Sequence, residues 1–291
     1  MTTNPNLLSI LDNFAGRRII VLGDLMMDEY VWGRTSRISP EAPVMVIDVE
    51  RESRVPGGAA NVVNNLLALG AQVTVIGVVG DDEAGVALAA DLERGGADVS
   101  GIVTDSSRPT TRKTRVVAHS QQVLRVDREQ AHPIDSTIAA RLREHLTHQI
   151  ASADLLLISE YNKGVFTPEV AAAALGLAQQ NSVVVTSNPK PPNVHLLAGA
   201  RAVSLNQFEA QTLANDNRFL IPAEEVSPDL PFAGREGLEE AGIALVRKLG
   251  IETLLVTLSS KGMTLFHKIG TAEHIPPHRV EVYDAAGAGD T

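Results

Sequence analysis

The chain has 291 residues, of which 44% are hydrophobic and 21% charged, enough apolar side chain for one large α/β domain or two smaller ones. It has no cysteine, which excludes a disulfide scaffold and a Cys-ligated zinc site, and its formal charge of −10 with no basic block argues against a nucleic-acid partner. Nothing approaches the roughly 18 apolar residues of a membrane span, and Met1 to Arg18 lacks the basic start of a signal peptide. A cytoplasmic enzyme-sized protein is expected, in which any polyanionic ligand needs local cations or a metal.

Arg17 to Leu25 (RRIIVLGDL) is an apolar run closing on Gly-Asp, the pattern of a buried parallel strand with a polar C-terminal end. Ligands of open α/β sheets sit beyond such ends. Asp24 and Asp28 are therefore candidates to bind the hydroxyls of a polar substrate; a helix cap or a solvated loop acid is the alternative for each. Val31 to Arg54 is broken by Pro40 and Pro43 and continues as Val44-Met45-Val46-Ile47-Asp48-Val49, strand-like but outside the α/β alternation. Thr111 to Ala118 and Gln122 to Asp127 share that character. Segments within about 31–56 and 110–128 thus predict a small antiparallel sheet attached to the main body, serving as a lid, a dimer surface or an ordinary surface meander. Between them, Gly57-Gly58-Ala59-Ala60-Asn61 opens a helix with the stripe Val62, Val63, Leu66, Leu67 and Leu69, and Gly70 suits its C′ position. Its first N–H groups, with Asn61 beside them, form a place to bind oxygens, unless the glycines serve close packing alone.

Regular alternation follows. Gln72–Val79, Asp154–Ser159, Ser182–Thr186, Arg201–Leu205 and Glu252–Leu258 read as strands. Asp81–Arg94, Pro133–Ile150, Pro168–Gln180 and a segment opening at Gln207 read as helices, and Gly262–Lys268 with Thr271–Ile275 as a hairpin. This predicts one domain over residues 1–291, a mostly parallel sheet with helices on both faces. Asn215 to Glu236 shows no period and reads as a long loop or insertion. Successive strand ends deliver Lys163, Lys190 and the Asn206/Glu209 pair to one rim. Lysines there could neutralise phosphate, and Asn206 and Glu209 offer oxygens to Mg²⁺, directly or through water. Each alone also reads as a surface lysine or a helix-capping residue. The chain closes on Asp284-Ala285-Ala286-Gly287-Ala288-Gly289-Asp290-Thr291. Small residues let backbone N–H groups approach an anion, and a carboxylate beside them suits phosphoryl transfer to an alcohol; the alternative is a glycine-rich turn.

These residues resemble the ribokinase-like (PfkB) carbohydrate kinases from about Arg18 to Thr291, through GGAAN at 57–61, NxxE at 206–209 and DxxGAGD at 284–290 in that order. The chain is most similar to the heptose-7-phosphate kinase branch of that family, on Gly23-Asp24-Leu25-Met26-Met27-Asp28-Glu29-Tyr30, Arg37-Ile38-Ser39-Pro40-Glu41-Ala42-Pro43, Tyr161-Asn162-Lys163-Gly164 and Leu255-Val256-Thr257-Leu258-Ser259. The resemblance implies a ribokinase-like three-layer sandwich, ATP and Mg²⁺ as cofactors, a sugar phosphate as substrate, and a homodimer paired through the lid. It implies Asp290 as catalytic base and the N–H groups of Gly287, Ala288 and Gly289 as an anion hole. Asp24, Asp28, Gly57, Gly58 and Asn61 line the sugar site, with Arg125 or Lys163 on the substrate phosphate. Asn206 and Glu209 organise Mg²⁺ and the ATP phosphates, and Lys190, Thr257, Ser259 and Gly262 lie on the nucleotide side. Four departures leave the sugar open: Asn188-Pro189-Lys190 stands for Asp-Pro-Lys, Glu160-Tyr161-Asn162-Lys163-Gly164 for Asp-Tyr-Gly-Lys-Gly, Ala286 for a Thr, and the Pro-rich loop after Asn215 is longer than usual. The helices that the resemblance implies after Asp290 are not in this sequence, which leaves the activity level of the chain as written open as well. A related kinase acting on ribose, fructose or adenosine, or a non-catalytic binder of sugar phosphate or nucleotide, remains open.

Overall fold

The computed structural model describes residues 5–119, 121–216 and 235–278. Its strands are β1 Arg18–Gly23, β2 Leu25–Ile38, β3 Met45–Gly58, β4 Gln72–Gly80, β5 Asp98–Asp105, β6 Thr111–Ala118, β7 Gln121–Arg128, β8 Leu155–Ser159, β9 Val184–Asn188, β10 Ala202–Asn206, β11 Thr253–Thr257, β12 Met263–His267 and β13 Ala272–Ile275. Its helices are α1 Pro5–Asp12, α2 Ala59–Ala68, α3 Glu83–Arg94, α4 Ser136–Ile150, α5 Pro168–Gln180, α6 Gln207–Ala214 and α7 Arg235–Leu249.

Nine strands form the central sheet in the order β13-β12-β11-β10-β9-β8-β1-β4-β5. The ladders from β11 to β5 are parallel, and the β11-β12-β13 end is antiparallel. The alternation of β1 explains the layering. Ile20 and Leu22 point into one apolar cluster with Leu142, Leu146, Val170 and Ala174 of α4 and α5. Ile19 and Val21 point into another with Val63, Leu66, Leu88 and Leu92 of α2 and α3. A strand apolar on both faces needs a helix layer on each side, and the sequence supplies both. This is the ribokinase-like α/β sandwich that the sequence predicts.

The second sheet has the order β3-β2-β6-β7. Its outer ladders are antiparallel, as expected, while the inner β2–β6 ladder is parallel. Its strands begin earlier than the sequence suggests. Asp24 alone separates β1 from β2, because Leu25-Met26-Met27 continues the apolar run and is buried where the two sheets meet. Gly57 and Gly58 end β3. A Cβ on Gly57 would lie 2.6 Å from Asp28 Oδ2, and one on Gly58 would lie 2.6 Å from Met26 Cε and 2.9 Å from the Asp24 carbonyl oxygen. Close approach therefore demands both glycines. The edge strand β5 and helix α7 were not expected from the sequence. β5 carries Asp at both ends and Gly101 inside, which masks its alternation. α7 starts at Arg235, inside the stretch read as a loop; the rest of that stretch from 217 to 234 lies outside the described residues.

Candidate active site

Chain order reverses at β1. β4 and β5 follow it on one side, and β8 to β11 on the other. Such a switch point leaves a crevice at the C-terminal ends of the two central strands, where α/β proteins bind ligands. The residues leaving those ends are Asp24 after β1 and Glu160 after β8.

Asp24 is 1% exposed. Its Oδ2 accepts hydrogen bonds from the backbone N–H groups of Tyr161 at 2.6 Å and Lys163 at 3.2 Å. Its Oδ1 is buried without a hydrogen-bond partner among the described residues. Burial pushes its pKa up to about 6; the Tyr161 N–H pulls it down and the neighbouring Glu160 charge pushes it further up. Glu160 is equally buried and accepts from the N–H groups of Asn162 at 2.5 Å and Lys190 at 2.8 Å and from Asn193 Nδ2 at 2.8 Å. The sequence pattern puts Glu160 in the polar cluster that follows a strand and makes it a departure from a family pattern, but gives it no role. The structure makes it the post on which the loops after β8 and β9 both hang.

Asp28 lies next along β2, and its Oδ1 meets Arg115 Nη1 of β6 at 2.6 Å. Arg115 also stands 5.4 Å over the Tyr30 ring. Asn61 falls in the first turn of α2, whose Ala59 N–H donates to the Asp24 carbonyl oxygen at 3.1 Å. Asp24, Asp28, Gly57, Gly58 and Asn61 are thus brought to one end of the crevice. The two candidate phosphate holders are otherwise engaged. Lys163 Nζ contacts Glu129 Oε1 at 2.6 Å, and Arg125, half exposed on β7, forks onto Asp127 at 2.8 and 3.0 Å.

The other half of the rim is built on β9, β10 and β11. Asn206 caps α6 through a reciprocal capping box: Asn206 Oδ1 accepts from the Glu209 N–H at 2.8 Å, and Glu209 Oε2 accepts from the Asn206 N–H at 2.9 Å. Glu209 Oε1 meets Lys190 Nζ at 2.6 Å. Lys190 in turn stands 5.0 Å over the Tyr161 ring. The NxxE spacing is therefore first a helix start, as its capping alternative foresaw, and second a ledge for a lysine. Thr257 pairs with Asn206 across the β10–β11 ladder. Ser259 (φ 55°) and Gly262 (φ 90°) make the tight turn into β12, where a Cβ on Gly262 would run into the Ile275 carbonyl oxygen. A cavity of about 400 Å³ opens here, lined by Lys190, Pro191, Asn206, Phe208, Glu209 and Thr212.

Among the described residues no group of three or more Asp, Glu or His side chains could hold a metal ion. Asn206 Oδ1 and both Glu209 oxygens already accept within the protein, the arrangement of a capping box and an ion pair rather than of a preformed set of Mg²⁺ ligands. Asp284 to Thr291, with the expected base Asp290 and the N–H groups of Gly287, Ala288 and Gly289, lie outside the described residues.

Residues 17–291 match the family model described as pfkB family carbohydrate kinase, and the chain belongs to that family. That family is one of carbohydrate kinases. Among curated relatives, it is 41% identical over 283 residues to the "Bifunctional protein HldE" of Trichlorobacter lovleyi, covering 97% of this chain and 55% of that protein. It is 43% identical over 275 residues to the protein of the same name in Helicobacter hepaticus, covering 94% of this chain and 54% of that one. The chain thus spans about half the length of the curated relatives it matches. Among solved structures, Arabidopsis thaliana ribokinase complexed with ribose and ATP superposes with a TM-score of 0.69 at 19% identity, covering 94% of this chain and 83% of that one. Escherichia coli phosphofructokinase-2 in complex with substrates and products does so with a TM-score of 0.72 at 17% identity, covering 94% and 83%.

Proposed function

We propose that this chain is an ATP-dependent kinase that phosphorylates a hydroxyl of a sugar phosphate, D-glycero-D-manno-heptose 7-phosphate first among candidates. The observation that carries the reading is the divided rim. Beyond β1 and β8 stand buried carboxyl acceptors, Asp24 with an unpaired oxygen, suited to sugar hydroxyls. Beyond β9 and β10 stands a lysine poised over an open cavity, suited to phosphates. The heptose phosphate preference rests on the likeness to the HldE proteins over nearly the whole chain.

In this reading Asp24, Asp28, Gly57, Gly58 and Asn61 form the sugar end. Lys190, Asn206, Glu209, Thr257, Ser259 and Gly262 form the nucleotide end, and Lys163 or Arg125 takes the substrate phosphate by exchanging its carboxylate partner. Glu209 would orient a hydrated Mg²⁺, which would supply charge neutralisation of the phosphates. Asp290 accepts the proton of the attacking hydroxyl. The hydroxyl oxygen bonds to the γ-phosphorus, the bond from that phosphorus to the bridging oxygen breaks, and ADP departs. The family resemblance alone assigns the N–H groups of Gly287, Ala288 and Gly289 to stabilising the charge on the moving phosphoryl group. The small sheet is the lid that excludes water. Its exposed Ile38, Met45, Val49 and Leu124 are the surface through which two copies pair. We place the enzyme in the cytoplasm.

ADP release with Mg-ATP, assayed against heptose 7-phosphate, ribose, fructose and adenosine, tests the proposal. Turnover with heptose phosphate, lost in Asp290→Asn, is expected. Turnover only with another acceptor would move the substrate within the family, and ligand binding with no turnover, unchanged by Asp290→Asn, would make the chain a binder.

A further inference from the structure

We infer that Arg108 is a positioning residue for the sugar half of the site, an inference that rests on the sugar reading of Asp24. Arg108 lies in the turn between β5 and β6 and is 8% exposed. Its Nε donates to Asp105 Oδ2 at 2.7 Å, its Nη1 to the Lys163 carbonyl oxygen at 3.0 Å, and its Nη2 to the His132 carbonyl oxygen at 2.8 Å. One guanidinium fork thereby ties together three segments that are distant in sequence: the end of β5, the loop entering α4, and the loop after β8.

The turn that carries it is rigid. Asp105 Oδ1 accepts from both the N–H and the hydroxyl of Ser107, at 2.9 and 2.6 Å. Burial acts to raise the Asp105 pKa, but these donors and Arg108 overcome it and hold the carboxyl below its ordinary range. On the far side, Asp82 caps α3 through the Gly85 N–H and grips the Thr110 N–H and hydroxyl at 2.9 and 2.7 Å. Arg108 therefore projects from a turn pinned on both sides, the arrangement that holds a supporting side chain in one rotamer.

What it holds is the peptide that holds Asp24. The Lys163 N–H reaches Asp24 Oδ2, the Lys163 carbonyl lies on Arg108, and the Lys163 side chain lies on Glu129. The next residue, Gly164 (φ 85°), has no room for a Cβ against the His132 carbonyl, and its own carbonyl accepts from the Ile134 N–H at 3.0 Å. Without the guanidinium, three acceptors lose their donor, and the Tyr161–Lys163 N–H pair loses its fixed distance to Asp24. Arg108 makes no hydrogen bond to Lys190, Asn206 or Glu209 and reaches that side only indirectly, through the Tyr161 ring under Lys190, so the effect falls first on the sugar end.

Arg108→Gln and Arg108→Lys, made in the full chain, test this with two readouts. The first is amide hydrogen exchange, which needs no substrate. Arg108→Gln is expected to lower protection at Tyr161 and Lys163 about tenfold, as loss of a charge-assisted hydrogen bond implies. Arg108→Lys should restore part of it, and both should leave 184–188 and 253–257 as they were. Unchanged protection at Tyr161 and Lys163 in folded Arg108→Gln overturns the inference; if Arg108→Gln does not fold, Arg108→Lys decides by the same criterion. The second readout is kinetic. The KM for the sugar phosphate should rise about tenfold, with the KM for ATP unchanged and Lys partly rescuing. An equal rise in both KM values assigns Arg108 a merely structural role. Absence of turnover in the unmutated chain counts against the functional reading instead, and the exchange result still decides for Arg108.

Discussion

The two halves of the rim hold their charges in opposite ways. Beyond β1 and β8, Asp24 and Glu160 are buried and held by backbone N–H groups and an Asn amide. Beyond β9 and β10, Glu209 is matched by Lys190, whose side chain remains 31% exposed. A buried carboxyl stabilised only by neutral donors keeps its capacity to accept, and at Asp24 burial raises the pKa. A partly exposed cation at a cavity mouth can reach toward a phosphate while it stays beside its carboxylate, so the buried anion is not left unpaired. In the proposed reading the first half takes hydroxyls and the second phosphates, and Glu160, which grips the Lys190 N–H, joins them.

The sharpest way to separate the halves is Asp24→Asn. Sugar affinity should fall about 100-fold, as expected for a lost charge-assisted acceptor, with ATP affinity unchanged. Stability should move the other way. Asp24 has a folded pKa of about 6 against an ordinary 3.8, so the native state binds its proton more tightly than the unfolded chain. Stability therefore falls as pH rises from about 4 to about 6 and is level above that. At pH 8 the Asn variant should be more stable, by on the order of 2 kcal/mol in denaturant titration, and this gain should vanish below pH 4. In the unmutated protein, sugar affinity should weaken as pH falls through about 6, because the charged acceptor is lost.

Lys190→Met addresses the other half. ATP affinity should drop about tenfold, and the fold should lose roughly 1–3 kcal/mol because Glu209, 7% exposed, is left without its cation. Sugar affinity should stay within twofold. Glu160→Gln tests the junction. Its loss should weaken both ligands a fewfold and cost about 1–2 kcal/mol, since a buried charged acceptor of several N–H groups becomes a weaker one. The smallest effect belongs to Asn206→Ala, which removes only the α6 cap; about 1 kcal/mol of stability is expected, with little change in sugar affinity.

The sequence showed the central strands, the order of the motifs and the rim on which the charges sit, because strands apolar on both faces and glycines at close approaches leave local marks. Asp24 and Lys190 were found that way. What was not legible was the long-range polar wiring. Arg108 bonds to carbonyls 24 and 55 residues away, and nothing in Asp105-Ser106-Ser107-Arg108-Pro109 announces that. Glu160 looked like a substitution in a loop, yet burial makes it a shared anchor. The edge strand β5 escaped for a different reason: its polar ends and internal glycine blur the alternation that marks a half-buried strand.

The most direct test of a rim divided between sugar and nucleotide is steady-state ADP release with heptose 7-phosphate and ATP varied independently, in the unmutated chain, Asp24→Asn and Lys190→Met. The account predicts crossed effects: the sugar KM rises in the first variant and the ATP KM in the second, each with the other constant unchanged. Both variants raising the same KM, or no dependence of ADP release on any sugar in the unmutated chain, would contradict it.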